Sequence, residues 1–265
     1  MTVENKGNRG QLVNDLTRRI DGPVSVIGDV HGQIEMLVDI IEQLRRRPDF
    51  EKRWIVFIGD FVDRGTDSSG VMDLGVDLMN SHRRCTAIAG NHELAMAAAL
   101  GWIPTPEFCK WDRRWIDHYD SEPTFESYGA NHGDLAGLNA VVPESHKNLI
   151  AQLPWCIEHP QYLFVHAGLD PNIPFETQLR ILRHRDFSLS RPPWLCSKSL
   201  VNAKPPRDCP ATVVSGHEYV PEVRITPRRV LLDTTGGRQG DLSCVLLPEN
   251  QVLVSSSSRV SHTPV

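Results

Sequence analysis

The chain has 265 residues, a formal net charge of -5, 40% hydrophobic and 23% charged residues, which suits one large or two small folded units with a substantial buried core. That balance excludes a general basic footprint for nucleic acid, and no apolar run is long enough to span a membrane. Met1 to Ile20 lacks the apolar core of a signal peptide, so a cytoplasmic protein is expected, and six cysteines without a CxxC pair read as reduced, structural thiols.

In chain order, a lead is followed by an expected short helix from Leu12 to Ile20. Val24 to Ile27 then reads as a buried strand opening into Gly28-Asp29-Val30-His31-Gly32. Ile34, Leu37, Val38, Ile41 and Leu44 keep helical spacing, with Arg45-Arg46-Arg47 as a basic end that complements the helix dipole. A second apolar run, Trp54 to Ile58, ends in Gly59-Asp60, and a third, Cys85 to Ala89, ends in Gly90-Asn91. Asp29, Asp60 and Asn91 recur at equal intervals of 31 residues, the length of a strand, a crossover helix and a parallel strand. Three oxygen donors are therefore expected at the carboxyl ends of neighbouring parallel strands, where open α/β sheets bind ligands.

The loops around these donors carry further chemistry. Asp60 can bridge two ions, Asp63 can orient a histidine, and Arg64 can grip a phosphoryl group with paired hydrogen bonds. His92, at the start of the expected helix over residues 92–100, is placed as a general acid. Residues 101–140 are rich in aromatics and read as an insertion that overhangs the strand ends and builds a satellite core, with Ser127-Tyr128-Gly129 expected to bring a hydroxyl near the cleft. Tyr162 to Val165 and Ala211 to Ser215 are two more strands, delivering His166 and His217, whose neutral imidazoles would complete a second metal site. Of Arg180, Arg183, Arg185 and Arg191, one is expected to face the cleft. Runs over 230–233, 242–246 and 251–254 read as an antiparallel meander closing a second sheet, and the serine-rich tail from Ser255 as disordered.

Taken together, GDVHG (28–32), GDFVDRG (59–65), GNHE (90–93), HAG (166–168) and GH (216–217) resemble the signature of bacterial PPP-type serine/threonine protein phosphatases within the calcineurin-like metallophosphoesterases. The resemblance implies an α/β fold in which two mixed sheets pack as a central sandwich flanked by helices, in one catalytic domain with a core at about 21–254 and a cap at about 101–140. It implies two divalent metal ions, Mn first with Fe or Zn as alternatives: one held by Asp29, His31 and Asp60, the other by Asp60, Asn91, His166 and His217. It further implies His92 as proton donor, Asp63 as its partner, Arg64 as a phosphate ligand beside Asn91 and His92, and Arg185 as a second clamp. The implied reaction is attack of a metal-activated hydroxide on a phosphomonoester of a protein or peptide, with no nucleic-acid or membrane partner. Alternatives are a symmetrical diadenosine tetraphosphatase, a small-molecule phosphatase, and a non-catalytic scaffold for a phosphorylated partner. Tyr219, where phosphodiesterases of the wider superfamily carry a second histidine, favours monoesters.

Overall fold

The computed structural model describes residues 16–256. The expected helix at 12–20 lies mostly outside them; residues 16–20 are not helical, and Arg19 bridges to Glu158 instead. The expected tail lies outside them beyond Ser256.

Two five-stranded mixed sheets form the centre. In the first, β1 (Val24–Ile27), β2 (Trp54–Phe57) and β3 (Cys85–Ala87) run parallel, with β9 (Ser243–Leu247) antiparallel to β1 and β10 (Gln251–Val254) antiparallel to β9 at the edge. In the second, the order is β4 (Cys156–Glu158), β5 (Tyr162–Val165), β6 (Thr212–Ser215), β8 (Arg229–Leu231), β7 (Arg224–Thr226), with β5, β6 and β8 parallel. Side chains alternate as a strand period demands. Val24, Val26, Val56, Phe164, Val214, Val230 and Val245 meet between the sheets, while Ile27, Ile55, Phe57, Leu163, Val165 and Val213 face the helices. Strands buried on both faces explain why these runs are continuously apolar.

The expected meander is thus divided: β8 belongs to the second sheet, and only β9 and β10 form a hairpin, which joins the first. β8 and β9 both send apolar residues inward, and nothing in the period of a strand says which of two facing sheets it completes.

Helices α1 (Ile34–Arg45) and α2 (Ser68–Ser81) are the crossovers of β1-β2 and β2-β3, and α3 (Asn91–Ala99) follows β3. In α1 the buried face is Leu37, Ile40, Ile41 and Leu44; Val38, expected on it, is 41% exposed. The aromatic insertion forms α4 (Trp111–His118), α5 (Glu122–Ser127) and α6 (Leu135–Val141), followed by α7 (Glu144–Gln152). Rather than a satellite core, Trp111, Trp115, Tyr119 and Phe125 join the same apolar cluster as α1, α2 and α3. Between β5 and β6 lie α8 (Phe175–His184), α9 (Pro193–Cys196) and α10 (Lys198–Val201). All six cysteines are buried and free, as expected of structural thiols.

Candidate metal and phosphate site

Every signature segment leaves its strand at the same edge of the sandwich. The backbone there turns back on itself: His31, Asp60, Asp63, Arg64 and His217 all adopt left-handed φ between 46° and 75°. Such conformations are costly for residues with a Cβ and persist where surrounding contacts dictate them. Glu93 supplies part of that dictation. Its carboxylate accepts from the backbone N–H groups of Asp60 at 2.8 Å, Phe61 at 2.7 Å and Gly90 at 2.9 Å, tying the exits of β2 and β3 together. A Cβ on Gly90 would overlap Asp60 Oδ1 and one on Gly216 would overlap Asp29 Oδ1, so both carboxylates need a bare backbone beside them.

Asp60 lies at the centre. Its Oδ2 is 3.4 Å from His31 Nε2, 3.2 Å from His166 Nε2 and 3.9 Å from His92 Nε2. The histidines are oriented through their other nitrogens: His31 Nδ1 faces Val62 O at 2.9 Å and His166 Nδ1 faces Ile58 O at 2.9 Å, so both Nε2 atoms point to Asp60. Asn91 Oδ1 accepts from His166 Nε2 at 3.1 Å. Asp29 joins from β1, with Oδ2 accepting from His217 N at 2.7 Å. Two donor groups emerge within 4.8 Å, His31 with Asp60 and His92, and Asp60 with His166 and His217.

The electrostatics suit cations. Burial opposes charge on Asp60, yet the His166, His92 and His31 imidazoles hold its pKa well below the usual carboxylate range. Burial would lower His166, but Asp60 raises it to about 10, so a proton on Nε2 binds the surrounding acceptors together. Burial pushes His31 well down and His217 to about 3, leaving neutral imidazoles of the kind metals take. Asp29 is pushed well up by burial and by the Asp233 carboxylate. Asp29 Oδ1 and both ring nitrogens of His217 are buried without a hydrogen-bond partner. Orphaned oxygen and imidazole donors around a shared carboxylate fit a pair of divalent ions, and among the described residues neither donor group includes a cysteine, which argues against a soft metal.

Beside this centre, His92 Nδ1 donates to Asp63 Oδ2 at 2.7 Å. Asp63, fully buried, also accepts from Trp115 Nε1 at 2.9 Å and Thr124 Oγ1 at 2.7 Å, both from the insertion. Burial raises Asp63 to about 7 against these donors. Arg64 Nη1 donates to His31 Nε2 and to Gly236 O, both at 2.9 Å. A cleft of about 450 Å³ opens over the group, lined by Arg64, Asn91, His92, Arg114, His118, Tyr119, Arg191, Cys196, Lys198, His217 and Glu218.

Not every expected residue is here. Arg185 caps α8 in a left-handed conformation, donates to the Ala151 and Leu153 carbonyls at 2.8 and 3.1 Å, and lies over the Phe187 ring; it does not line the cleft. Arg191, six positions later, does, together with Arg114. Ser127 and Tyr128 also turn elsewhere, the first to Thr124 O and the second to His146. Trp115 and Tyr119 belong to the aromatic run expected to overhang the site, but nothing in their spacing, or in that of Thr124, marks them as partners of it. Asp233 could have been, since it ends an apolar run just as Asp60 does.

The family described as calcineurin-like phosphoesterase matches residues 22–246. The serine/threonine-protein phosphatase 4 catalytic subunit of Candida glabrata is 42% identical over 165 residues, 62% of this chain and 44% of the relative. That of Eremothecium gossypii is 38% identical over 84 residues, 31% and 26%. The chain therefore spans less than half the length of these curated relatives. Among solved structures, a candidate diadenosine tetraphosphatase superposes with a TM-score of 0.57 at 22% identity, covering 90% of this chain and 97% of the other. A Saccharomyces cerevisiae serine/threonine phosphatase with similarity to human PP5 gives 0.54 at 17%, covering 94% and 85%. At these identities the structures establish a common fold.

Proposed function

Because the chain belongs to the calcineurin-like phosphoesterase family, we propose that it is a metal-dependent phosphomonoesterase acting on phosphoserine or phosphothreonine of proteins. Residues 21–254 act as one catalytic unit capped by 101–140. The observation that carries this reading is the Asp63–His92 pair at 2.7 Å, facing a cleft shared with Arg64, Asn91 and His217. Asp29, His31 and Asp60 would hold one divalent ion, and Asp60, Asn91, His166 and His217 the other, with Mn the first choice. When bound, two such ions polarise phosphoryl oxygens and lower the pKa of a water placed to attack phosphorus.

The protein's own groups do the rest. Arg64, with Arg191 in place of the expected Arg185, neutralises phosphoryl oxygens that carry charge in the transition state. Asp63 fixes the His92 ring so that Nε2 faces the cleft; burial lowers the ring to about 3 without substrate, and a phosphate dianion beside it raises it again, favouring the imidazolium that protonates the leaving alkoxide. The curated relatives support a protein substrate, as does the open cleft. None of the described helices is long and apolar enough to cross a membrane, and the working compartment is proposed to be the cytoplasm.

The test is turnover of a phosphoserine peptide, diadenosine tetraphosphate and p-nitrophenyl phosphate by the full chain with Mn and after chelation. Fastest turnover of the peptide, lost on chelation and restored by Mn, is expected. Faster hydrolysis of the dinucleotide would transfer the assignment to the tetraphosphatase, and no turnover of any substrate with metal bound would favour a scaffold.

A further inference from the structure

Four of the eight buried side-chain atoms without a hydrogen-bond partner among the described residues fall at this one site: Asp29 Oδ1, both ring nitrogens of His217, and Asp233 Oδ2. The first three belong to expected ligands. Asp233 does not, yet it carries the same mark. It is 1% exposed, and a buried carboxylate oxygen with nothing to accept from loses its hydration without return.

The geometry around Asp233 is specific. Its Oδ1 accepts from Gly236 N at 2.7 Å, which orients the carboxylate and leaves Oδ2 for something else. The loop it begins is laced to the ligand loops: Thr235 Oγ1 donates to Asp29 O at 2.9 Å, Gly236 O accepts from Arg64 Nη1 at 2.9 Å, and Gly237 O accepts from Gln33 Nε2 at 3.2 Å. Leu232 O approaches Gly28 so closely that a Cβ there would meet it at 2.6 Å. Asp233 therefore stands at the root of a loop tied on both sides to the segment that carries Asp29, and its charge is felt there. Two neighbouring buried carboxylates, each with an oxygen left unpartnered, are tolerated when a cation compensates them.

We propose that Asp233 is a further oxygen donor of the metal centre, serving the ion on the Asp29 side directly or through one water. This rests on the divalent-metal reading given above. A purely structural role would be met by Oδ1 alone, so Asp233→Asn, which keeps that acceptor and removes the charge, separates the two.

Calorimetric titration of the full chain with Mn is the test. Wild type is expected to bind two ions, and Asp233→Asn to bind one of them about 10–100-fold more weakly, the usual cost of losing a supporting group. The chelated variant should melt no lower than chelated wild type, because a buried, half-unpartnered charge is gone. Two ions bound with wild-type affinity by the variant would overturn the proposal while leaving the metal reading intact, whereas no Mn uptake by wild type would sink both. Should Asp233→Asn fail to fold, anomalous diffraction from Mn-soaked wild-type crystals decides: Oδ2 on an ion, or one water from it, supports the proposal, and Oδ2 remote from both ions overturns it.

Discussion

Removing the imidazole at position 92 probes the proton-donor reading most directly. His92→Asn should cost about 10²–10⁴ in kcat on a phosphoserine peptide and much less on p-nitrophenyl phosphate, whose leaving group departs without a proton. Steady-state rates on the two substrates check this, and equal losses would contradict the role. Trp115 acts one step behind. Its Nε1 is one of three side-chain donors on Asp63, with His92 Nδ1 and Thr124 Oγ1. Trp115→Phe keeps most of the ring and removes one charge-assisted hydrogen bond, so kcat on the peptide should fall about tenfold with the same dependence on leaving group. A fall that is equal for both substrates would assign Trp115 to packing alone. Arg185 shows the opposite case, a residue whose motif fits and whose backbone does not: φ of 52° at the end of α8 sends its guanidinium to the carbonyls of the α7 end.

Helix α7 is secured to the insertion by a buried histidine. His146 takes Tyr128 OH on Nδ1 at 2.9 Å and Asp73 of α2 on Nε2 at 3.0 Å, so one ring joins α7, α2 and the end of α5. Burial lowers its pKa from the usual 6.5, with Asp73 only partly opposing. A histidine depressed in the folded state contributes stability that is fully present above its unfolded value and is lost as pH falls through the folded one. The melting temperature of wild type should therefore drop as pH falls below 6.5 more steeply than that of His146→Gln, which cannot protonate. Parallel melting curves for the two proteins over pH 7.5 to about 5 would remove His146 as the cause. The same contacts explain why the Ser-Tyr-Gly block misses the cleft: Tyr128, just past the end of α5, is used up in holding helices together.

Metal loading should be felt by the molecule as a whole. Donors from β1, β2, β3, β5 and β6 converge at one edge of both sheets, so an ion bound there ties together segments far apart in sequence. Each ion present at about 100 times its dissociation constant adds about 2.7 kcal/mol, and for a chain of this size that raises Tm by about 5–10 °C. Scanning calorimetry with and without Mn measures it, and a melting temperature indifferent to Mn would contradict a shared centre. Uptake should also release a proton, because His166 holds one on the nitrogen that faces Asp60.

Local pattern was sufficient for much of this. Short apolar runs ending in Gly-Asp or Gly-Asn, spaced for parallel crossovers, located β1, β2, β3 and the donors at their ends, because a strand end and its turn are encoded by neighbouring residues. The same holds for the strands before His166 and His217. Contacts between segments distant in the chain were another matter. Which sheet β8, β9 and β10 complete, whether Arg185 or Arg191 enters the cleft, that Trp115 and Thr124 grasp Asp63, and that the loop begun by Asp233 meets the Asp29 segment depend on how sheets and helices pack. Side-chain period along a strand or helix carries no information about the partner across the gap, and only the assembled core brings residues more than 200 positions apart, such as Asp29 and Thr235, into contact.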